Sequence, residues 1–185
     1  MRWNFHKLWG HFKTITEHKW LVLKGCFRLG LYRQGLTHDL SKYMPSEFVT
    51  GIRYYQGNRS PNAAEREAIG YSAAWLHHKG RNKHHYEYWM DFTLDKNAGI
   101  QGMKMPRKYV AEMFVDRVAA CKIYKKDAYT DRSPWEYYVG GLPFMIIHPD
   151  TRKALEKFLK MLAVYGEDIT FKFIRHRFLT GKVKY

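Results

Sequence analysis

Apolar residues recur in this chain at steps of three and four positions, which is the spacing of one face of an α-helix. The pattern is clearest from Phe5 to Ile15 and again from Trp20 to Leu31. Apolar–polar alternation, the mark of a half-buried strand, never extends beyond a few residues, and the one strand-like run is 144–147. Because 45% of the residues are hydrophobic, the chain can build a core. The sequence therefore predicts an all-α fold, a single-domain helical bundle over residues 1–185.

Prolines, glycines and capping residues divide the rest of the chain into shorter helices. Pro45 and Pro106 suit the first turn of a helix, and Asn62 and Asp150 are good N-cap residues. Residues 95–105 and 128–143, which contain several glycines and prolines, are predicted to be irregular. The remaining predicted helices cover residues 45–55, 62–78, 83–92, 106–126, 150–165 and 167–178, and the segment 37–43 precedes the first of them.

The chain is strongly basic, with 32 Lys and Arg against 17 Asp and Glu and a formal net charge of +15. An excess of this size favours an anionic partner, such as nucleic acid, a nucleotide or an acidic membrane surface. A basic, solvated surface without a specific partner is the alternative. The oligomeric state is left open.

Cysteine usage and hydropathy indicate the compartment. Cys26 and Cys121 form no C-x-x-C pair, which fits a reducing environment and argues against a disulfide framework. The N-terminus lacks the apolar stretch of a signal peptide, and no window is apolar enough for a membrane span. We therefore expect a cytoplasmic protein, with an N-terminal amphipathic helix lying on a membrane kept as an alternative.

The most unusual feature is the placement of histidine. The chain has 10 histidines, and five of them form the clusters His38-Asp39, His77-His78 and His84-His85. Imidazole nitrogens and carboxylate oxygens are the usual ligands of zinc, manganese and iron in proteins. Any one of these histidines could instead be a solvent-exposed side chain on a basic surface. Three dense clusters in one chain favour a metal site.

The segment Thr37 to Lys42, T-H-D-L-S-K, resembles the H-D-x-x-K signature of the HD superfamily of metal-dependent phosphohydrolases. The chain also follows the order of that superfamily, with one histidine upstream of the doublet, further histidines after it and a late helical aspartate in F-V-D-R-V-A-A. The whole chain resembles a small family of uncharacterised bacterial and phage proteins. The HD resemblance implies a helical bundle of the HD-domain type, with a ligand-bearing core at about residues 18–126. It implies one or two divalent ions (Mn, Fe, Zn, Co or Ni) and the ligands His18, His38, Asp39, His77, His78, His84, His85 and Asp116.

The spacing of the two later histidine pairs restricts their geometry. Seven residues advance about 10.5 Å along an unbroken helix, whereas two ligands of one ion lie no more than about 4.2 Å apart. Either the helix breaks at Gly80, or the pairs serve two ions. We prefer a break, because Gly80 and Asn82 are poor residues for a helix interior. Which member of each pair binds is left open.

The chemistry of the side chains suggests their roles. Asp39 would bridge two ions, since a carboxylate has two oxygens, and a metal-activated water would be the nucleophile. Lys42 would stabilise charge on a phosphoryl oxygen, and Arg81, Lys83 and Arg117 would bind further phosphate oxygens. Two glutamates could act as a base or orient a ligand, and nothing in the sequence chooses between Glu87 and Glu112.

The sequence thus predicts metal-dependent hydrolysis of a phosphate ester, with a nucleotide, a cyclic nucleotide or a short nucleic acid as substrate. The chain has no P-loop, no G-x-G-x-x-G and no G-x-S-x-G motif, which disfavours the enzyme classes that use them. Two alternatives remain: a di-iron oxygenase of the HD type acting on a small substrate, and a non-catalytic basic module that binds nucleic acid.

Overall fold

The computed structural model describes residues 4–95, 97 and 99–185, and within them the chain is a helical bundle. The all-α fold class predicted from the sequence is confirmed. Short 3-10 helices join several of the longer elements. The helices are α1 (Phe5–Leu29), α2 (Tyr32–Thr37), α3 (Pro45–Arg53), α4 (Pro61–Ile69), α5 (Ala73–Lys79), α6 (Arg107–Lys125), α7 (Ser133–Gly141) and α8 (Pro149–Phe173), and the strands are β1 (Met90–Phe92) and β2 (Ile100–Gly102).

The centre of the bundle is the packing of α1 against α6, with α8 completing the core. Gly25 of α1 lets the two helices approach closely, because a Cβ atom there would lie 2.5 Å from Val115 Cγ1 of α6. Helix α6 is buried around most of its circumference, as expected for a helix enclosed by neighbours. Phe114 of α6 contacts Phe158 and Phe171 of α8 edge-on, with ring centroids 5.9 and 5.7 Å apart. These contacts fix α6 as the rigid element against which the other helices are placed.

Helix α1 has conventional ends. The Asn4 side chain accepts a hydrogen bond from the Lys7 amide at the N-terminus, and Gly30 ends the helix with φ 77°. The predicted helix from Pro106 is also confirmed, since α6 begins directly after that proline. Within the described residues, no helix combines the length and the hydrophobicity needed to cross a membrane.

Several predicted boundaries are wrong. The helix predicted over 62–78 is two helices, because Gly70 has φ 84° and Ser72 caps a new helix by accepting from the Trp75 amide. The helix predicted over 83–92 is a 3-10 turn followed by β1, which pairs antiparallel with β2. The segment 128–143, predicted to be irregular, contains α7.

The C-terminal part also differs from the prediction. His148, not Asp150, caps α8, and its Nδ1 accepts from the Asp150 amide at 3.1 Å. Gly166 is non-helical, as predicted, with φ 74° and ψ 179°. The helix resumes directly after it and continues into a π-helical turn at 174–178, so the predicted last helix is an extension of α8.

Candidate metal centre

Four parts of the chain bring histidines and aspartates to one place beside α6. His18 lies on the core face of α1, and the doublet His38-Asp39 follows the end of α2. His78 comes from α5, and the two histidines that follow it come from the loop after that helix. Asp116 comes from the middle of α6. The donor atoms form groups that could each hold a metal ion: Asp39, His78, His84 and His85; His18, His38, Asp39 and Asp116; and His38, His84 and Glu112.

Asp39 is the residue common to the first two groups. It has a left-handed backbone conformation, with φ 54°, between α2 and the 3-10 helix at 40–43. Aspartate tolerates this conformation better than most side chains, but it still costs free energy, and such residues cluster at functional sites. The residue is 1% exposed. The turn thus places a buried carboxylate at the point where the four parts of the chain meet.

The two oxygens of Asp39 face different groups. Oδ2 lies 3.5 Å from His18 Nε2 and 3.3 Å from His38 Nε2. Asp116 completes this first group, with its Oδ1 3.0 Å from His18 Nε2 and 3.4 Å from His38 Nε2. We call His18, His38, Asp39 Oδ2 and Asp116 the α1 subsite.

On the other side, Asp39 Oδ1 lies 3.3 Å from His78 Nε2 and 3.4 Å from His84 Nε2. His85 joins them, with its Nε2 2.9 Å from His78 Nε2. The break after α5 makes this possible, because Gly80 ends the helix and Asn82 turns the loop by donating to the His78 carbonyl. The predicted break at Gly80 is confirmed. We call His78, His84, His85 and Asp39 Oδ1 the α5 subsite.

Two buried glutamates contact the Nδ1 atoms of the imidazole rings, on the side of each ring away from Asp39. His38 Nδ1 donates to Glu112 Oε1 at 3.0 Å, and His84 Nδ1 lies 3.3 Å from the same oxygen. Glu47 of α3 accepts from His78 Nδ1 at 2.8 Å. When such a ring is neutral, as it is when it binds a metal ion, giving the Nδ1 hydrogen to a carboxylate leaves an unprotonated Nε2 on its other side. The carboxylates therefore select the tautomer that a metal ligand needs.

The electrostatics of the cluster keep its carboxylates ionised. Burial opposes ionisation of Asp39, but His38, Lys42 and His78 together hold its pKa well below the usual range. Burial likewise opposes ionisation of Asp116, and hydrogen bonds from His18 and His38 hold its pKa well below the usual range. The pKa of Glu112 is lowered in the same way, with burial opposing and His38 and His84 favouring the ionised form. The result is a buried group of anions, which requires positive charge nearby.

The residues present fit a metal ion. The buried Nε2 atom of His84 and the buried Oδ1 atom of Asp39 have no hydrogen-bond partner. The buried Nε2 atoms of His18 and His38 lie 3.0–3.5 Å from carboxylate oxygens of Asp39 and Asp116. Buried polar atoms are nearly always hydrogen-bonded, so this convergent set of ligating atoms is the arrangement that a metal ion would satisfy. Within each group the donor atoms lie within 4.8 Å of one another, close to the ~4.2 Å span of two ligands on one ion.

A cleft of about 940 Å³ opens beside the subsites, and the side chains of His18, His78, His85 and Asp116 line it. Lys42 and Arg117, two of the predicted phosphate-binding residues, line the same cleft. Lys42 Nζ lies 2.6 Å from Asp39 Oδ2. Burial opposes the charge on Lys42, but Asp39 and Asp116 raise its pKa, so the side chain stays cationic.

Three predicted site residues are not brought to the site. His77 points away from Asp39, because its Nδ1 donates to Glu47 Oε1 at 2.6 Å and its Nε2 contacts Ser46 Oγ at 3.0 Å. Arg81 and Lys83 are exposed and do not line the cleft. The loop that turns His84 inward points these two side chains outward, which corrects the phosphate-binding role predicted for them.

The sequence did not indicate Glu47 and did not distinguish Glu112 from Glu87. Glu112 precedes Asp116 by one helical turn, so the two residues lie on the same face of α6, and this shared face favours Glu112 over Glu87. Glu47 had no such signal, since it follows a proline at the start of α3 and touches the histidines only through the tertiary fold.

Comparison with known proteins gives one match. Residues 7–161 match the model of a family described as a family of unknown function, DUF5662. No curated protein and no solved structure shows significant similarity to the chain.

Proposed function

Since the chain belongs to DUF5662, a family of unknown function, we propose its function from the site itself: metal-dependent hydrolysis of a phosphate ester. The enzyme would hold two divalent ions, one in the α1 subsite and one in the α5 subsite. Mn, Fe, Zn, Co and Ni all suit a ligand set of imidazoles and carboxylates without thiolates.

One observation carries this proposal: the two oxygens of Asp39 face two different groups of ligands, and Oδ2 also contacts the Lys42 ammonium at 2.6 Å. A buried carboxylate in this position is the expected bridge between two neighbouring ions. Glu112 and Glu47 also support two ions. They accept hydrogen bonds from Nδ1 atoms of histidines in both subsites, as carboxylates beside metal-bound histidines do.

When bound, a pair of ions supplies positive charge that polarises a phosphoryl oxygen and makes water a stronger nucleophile. The chain's own residues then position the substrate. Lys42 lies beside Asp39 on the cleft wall, where its ammonium would stabilise negative charge developing on a phosphoryl oxygen. Arg117, whose Nε is buried without a hydrogen-bond partner, would bind a second phosphate oxygen.

The substrate class follows from charge and from the lining of the cleft. A chain with a net charge of +15 favours a phosphate-bearing ligand. Trp75, Tyr86, Tyr124 and Tyr137 line the cleft and offer apolar surfaces for a base or another ring. We therefore propose a nucleotide, a cyclic nucleotide or a short nucleic acid as substrate, and a cytoplasmic location, where the two buried cysteines would stay reduced.

The test is elemental analysis of protein purified without added metal, followed by assays with phosphomonoester and phosphodiester substrates. We expect up to two transition-metal ions per chain and hydrolysis that a chelator removes. Asp39→Asn should abolish turnover, whereas Asp91→Asn, an exposed carboxylate in β1, should not.

Some results would overturn the proposal. Protein that holds two irons, consumes oxygen and hydrolyses no phosphate ester would be an oxygenase. Salt-sensitive binding of nucleic acid that a chelator leaves unchanged, without turnover, would indicate a non-catalytic module.

A further inference from the structure

One side of α1 exposes a stripe of aromatic residues that the proposed active site does not use. Phe5, Trp9 and Trp20 are 77%, 56% and 55% exposed. Phe12 and Phe27 continue the stripe on the same side of the helix, opposite the face that carries His18. From Phe5 to Phe27 the stripe is about 33 Å long, at 1.5 Å per residue.

The segment after α1 widens this stripe into a surface. Tyr43 contacts Phe12 edge-on, with ring centroids 6.2 Å apart, and its hydroxyl lies 3.0 Å from Thr16 Oγ1. Tyr32 contacts Phe27 in the same way at 5.1 Å. The exposed apolar side chains of α2 and of the 3-10 helix after it add to the patch. We call this set the α1 face: Phe5, Trp9, Phe12, Trp20, Phe27, Tyr32, Leu36, Leu40, Tyr43 and Met44.

The charge beside the α1 face is basic. Residues 4–44 contain seven Lys and Arg and two acidic residues. Three of these cations pair with carboxylates: Lys42 with Asp39, Arg28 with Glu167 and Asp168, and Lys13 with the exposed Glu17. The others, exposed Lys24 and Arg33 among them, keep the region net basic. Lys13 and Lys24 are exposed next to the stripe, and Lys24 Nζ lies 5.3 Å from the centroid of the Trp20 ring. A large apolar patch bordered by charge marks an interaction surface.

We propose that the α1 face binds the surface of an anionic lipid bilayer. A helix with Trp, Phe and Leu on one side and Lys along its edge has the composition of an interfacial helix. Trp and Tyr favour the level of the lipid headgroups, and Lys and Arg are attracted to acidic lipids. The protein would lie on the membrane with α1 parallel to it.

The same observations disfavour other occupants. A second copy of the chain would bring an equally basic border against this one, which opposes symmetric pairing. Single-stranded nucleic acid would stack on the aromatic rings but would leave the exposed aliphatic residues Leu36, Leu40 and Met44 without a partner. A lipid surface accommodates both kinds of apolar side chain.

The α1 face and the metal centre use neighbouring residues of the chain. Leu40 of the α1 face follows Asp39 directly, and Trp20 is two residues after His18, whose side chain is on the buried side of α1. The inference does not depend on the proposed hydrolysis, because the α1 face and the subsites lie on different sides of α1.

The experiment is co-sedimentation of the full chain with vesicles of phosphatidylcholine alone and with vesicles containing an equal amount of phosphatidylglycerol. We expect binding to the anionic vesicles only, weakened by salt. Trp9→Ser combined with Trp20→Ser should weaken binding at least about tenfold, because two large apolar side chains no longer enter the bilayer. Phe92→Ser combined with Phe144→Ser removes two aromatic residues elsewhere that are more exposed than Trp9 and Trp20, and it should change nothing.

A second pair of variants tests the charge. Lys13→Glu with Lys24→Glu should abolish binding, whereas Lys153→Glu with Lys157→Glu on α8, which changes the net charge equally, should retain it. The proposal is overturned if the protein ignores anionic vesicles, or if the matched variants behave alike. It is also overturned if sedimentation shows a dimer that Trp9→Ser with Trp20→Ser dissociates.

Discussion

His38 and Glu112 form a buried pair in which the Nδ1 hydrogen of the ring is donated to Oε1 of the carboxylate across 3.0 Å. The same oxygen lies 3.3 Å from His84 Nδ1, so one glutamate orients a ligand of each subsite. Glu112 belongs to neither subsite, but its loss should affect the ions of both.

We expect Glu112→Gln to lower metal affinity about 10- to 100-fold while the helix content stays unchanged, because outer partners of metal-bound histidines have effects of this size. The affinity can be measured by titration of metal-free protein and the helix content by circular dichroism. Glu17→Gln, an exposed position on α1, is the matched control. An unchanged affinity in Glu112→Gln would remove the orienting role.

The two aspartates of the site should differ in the number of ions that their loss removes. Asp39 belongs to both subsites and Asp116 to one, so Asp39→Asn should remove both ions and Asp116→Asn only the ion of the α1 subsite. His148→Ala, which removes a helix cap on α8, should leave metal content intact. Elemental analysis of the three variants decides this, and equal losses in both aspartate variants would contradict a bridging Asp39.

The sequence predicted which residues meet at the candidate site better than it predicted the orientation of their side chains. Asp116 and His18 could be placed because both lie on long helices whose apolar period shows which face is buried. His77 and His78 could not be separated, since adjacent helix positions differ by about 100° and only one of them faces inward. The choice depends on Glu47, which reaches α5 only in the folded chain.

The missed helix α7 has a similar explanation. Its sequence contains Pro134 near the start and Gly140-Gly141 at the end, and in the sequence alone these residues predict breaks inside an irregular segment. In the structure they mark the two ends of a helix, because proline suits the first turn and glycine is common near the last. Nine residues were too few for the apolar period to show this.

Lys42 should contribute to catalysis more than to metal binding. Its ammonium lies 2.6 Å from Asp39 Oδ2, where it repels a bound ion but would attract a phosphoryl oxygen. We expect Lys42→Met to retain or tighten metal binding and to lower kcat/KM by about 100-fold, the size typical of one lost electrostatic contact. Lys13→Met is the control on an exposed part of α1. Loss of metal together with activity would make Lys42 structural.

Gly25 should be sensitive to the addition of a single methyl group. A Cβ atom there would lie 2.5 Å from Val115 Cγ1, so Gly25→Ala should destabilise the fold by about 1–3 kcal/mol through overpacking. Combining it with Val115→Ala should recover part of that loss, because the smaller residue makes room on α6. Denaturant unfolding of both single variants and the double variant measures the coupling, and simple additivity would argue against a direct clash.

His11 should make the stability of the fold depend on pH. Its ring is buried between Phe48 and Tyr55, with centroids 5.4 and 6.2 Å away, and its Nδ1 has no hydrogen-bond partner. Burial, with a smaller effect of Lys42, lowers the pKa of His11 to about 4. In the unfolded chain the ring titrates near pH ~6.5, so between these values the unfolded state binds more protons.

The free energy of unfolding should therefore fall as the pH drops from about 6.5 to about 4, by up to roughly 3 kcal/mol from this residue. His11→Phe keeps an aromatic ring in the same place but removes the titration. We expect its unfolding free energy to decrease less steeply than that of the wild type across this range, whatever its absolute stability at neutral pH. Denaturant unfolding at several pH values, with both proteins in the same metal-free state, measures the two slopes. Because the two proteins differ only at His11, the difference between the slopes isolates this residue, and parallel curves would show that the pKa of His11 is the same in the folded and unfolded states.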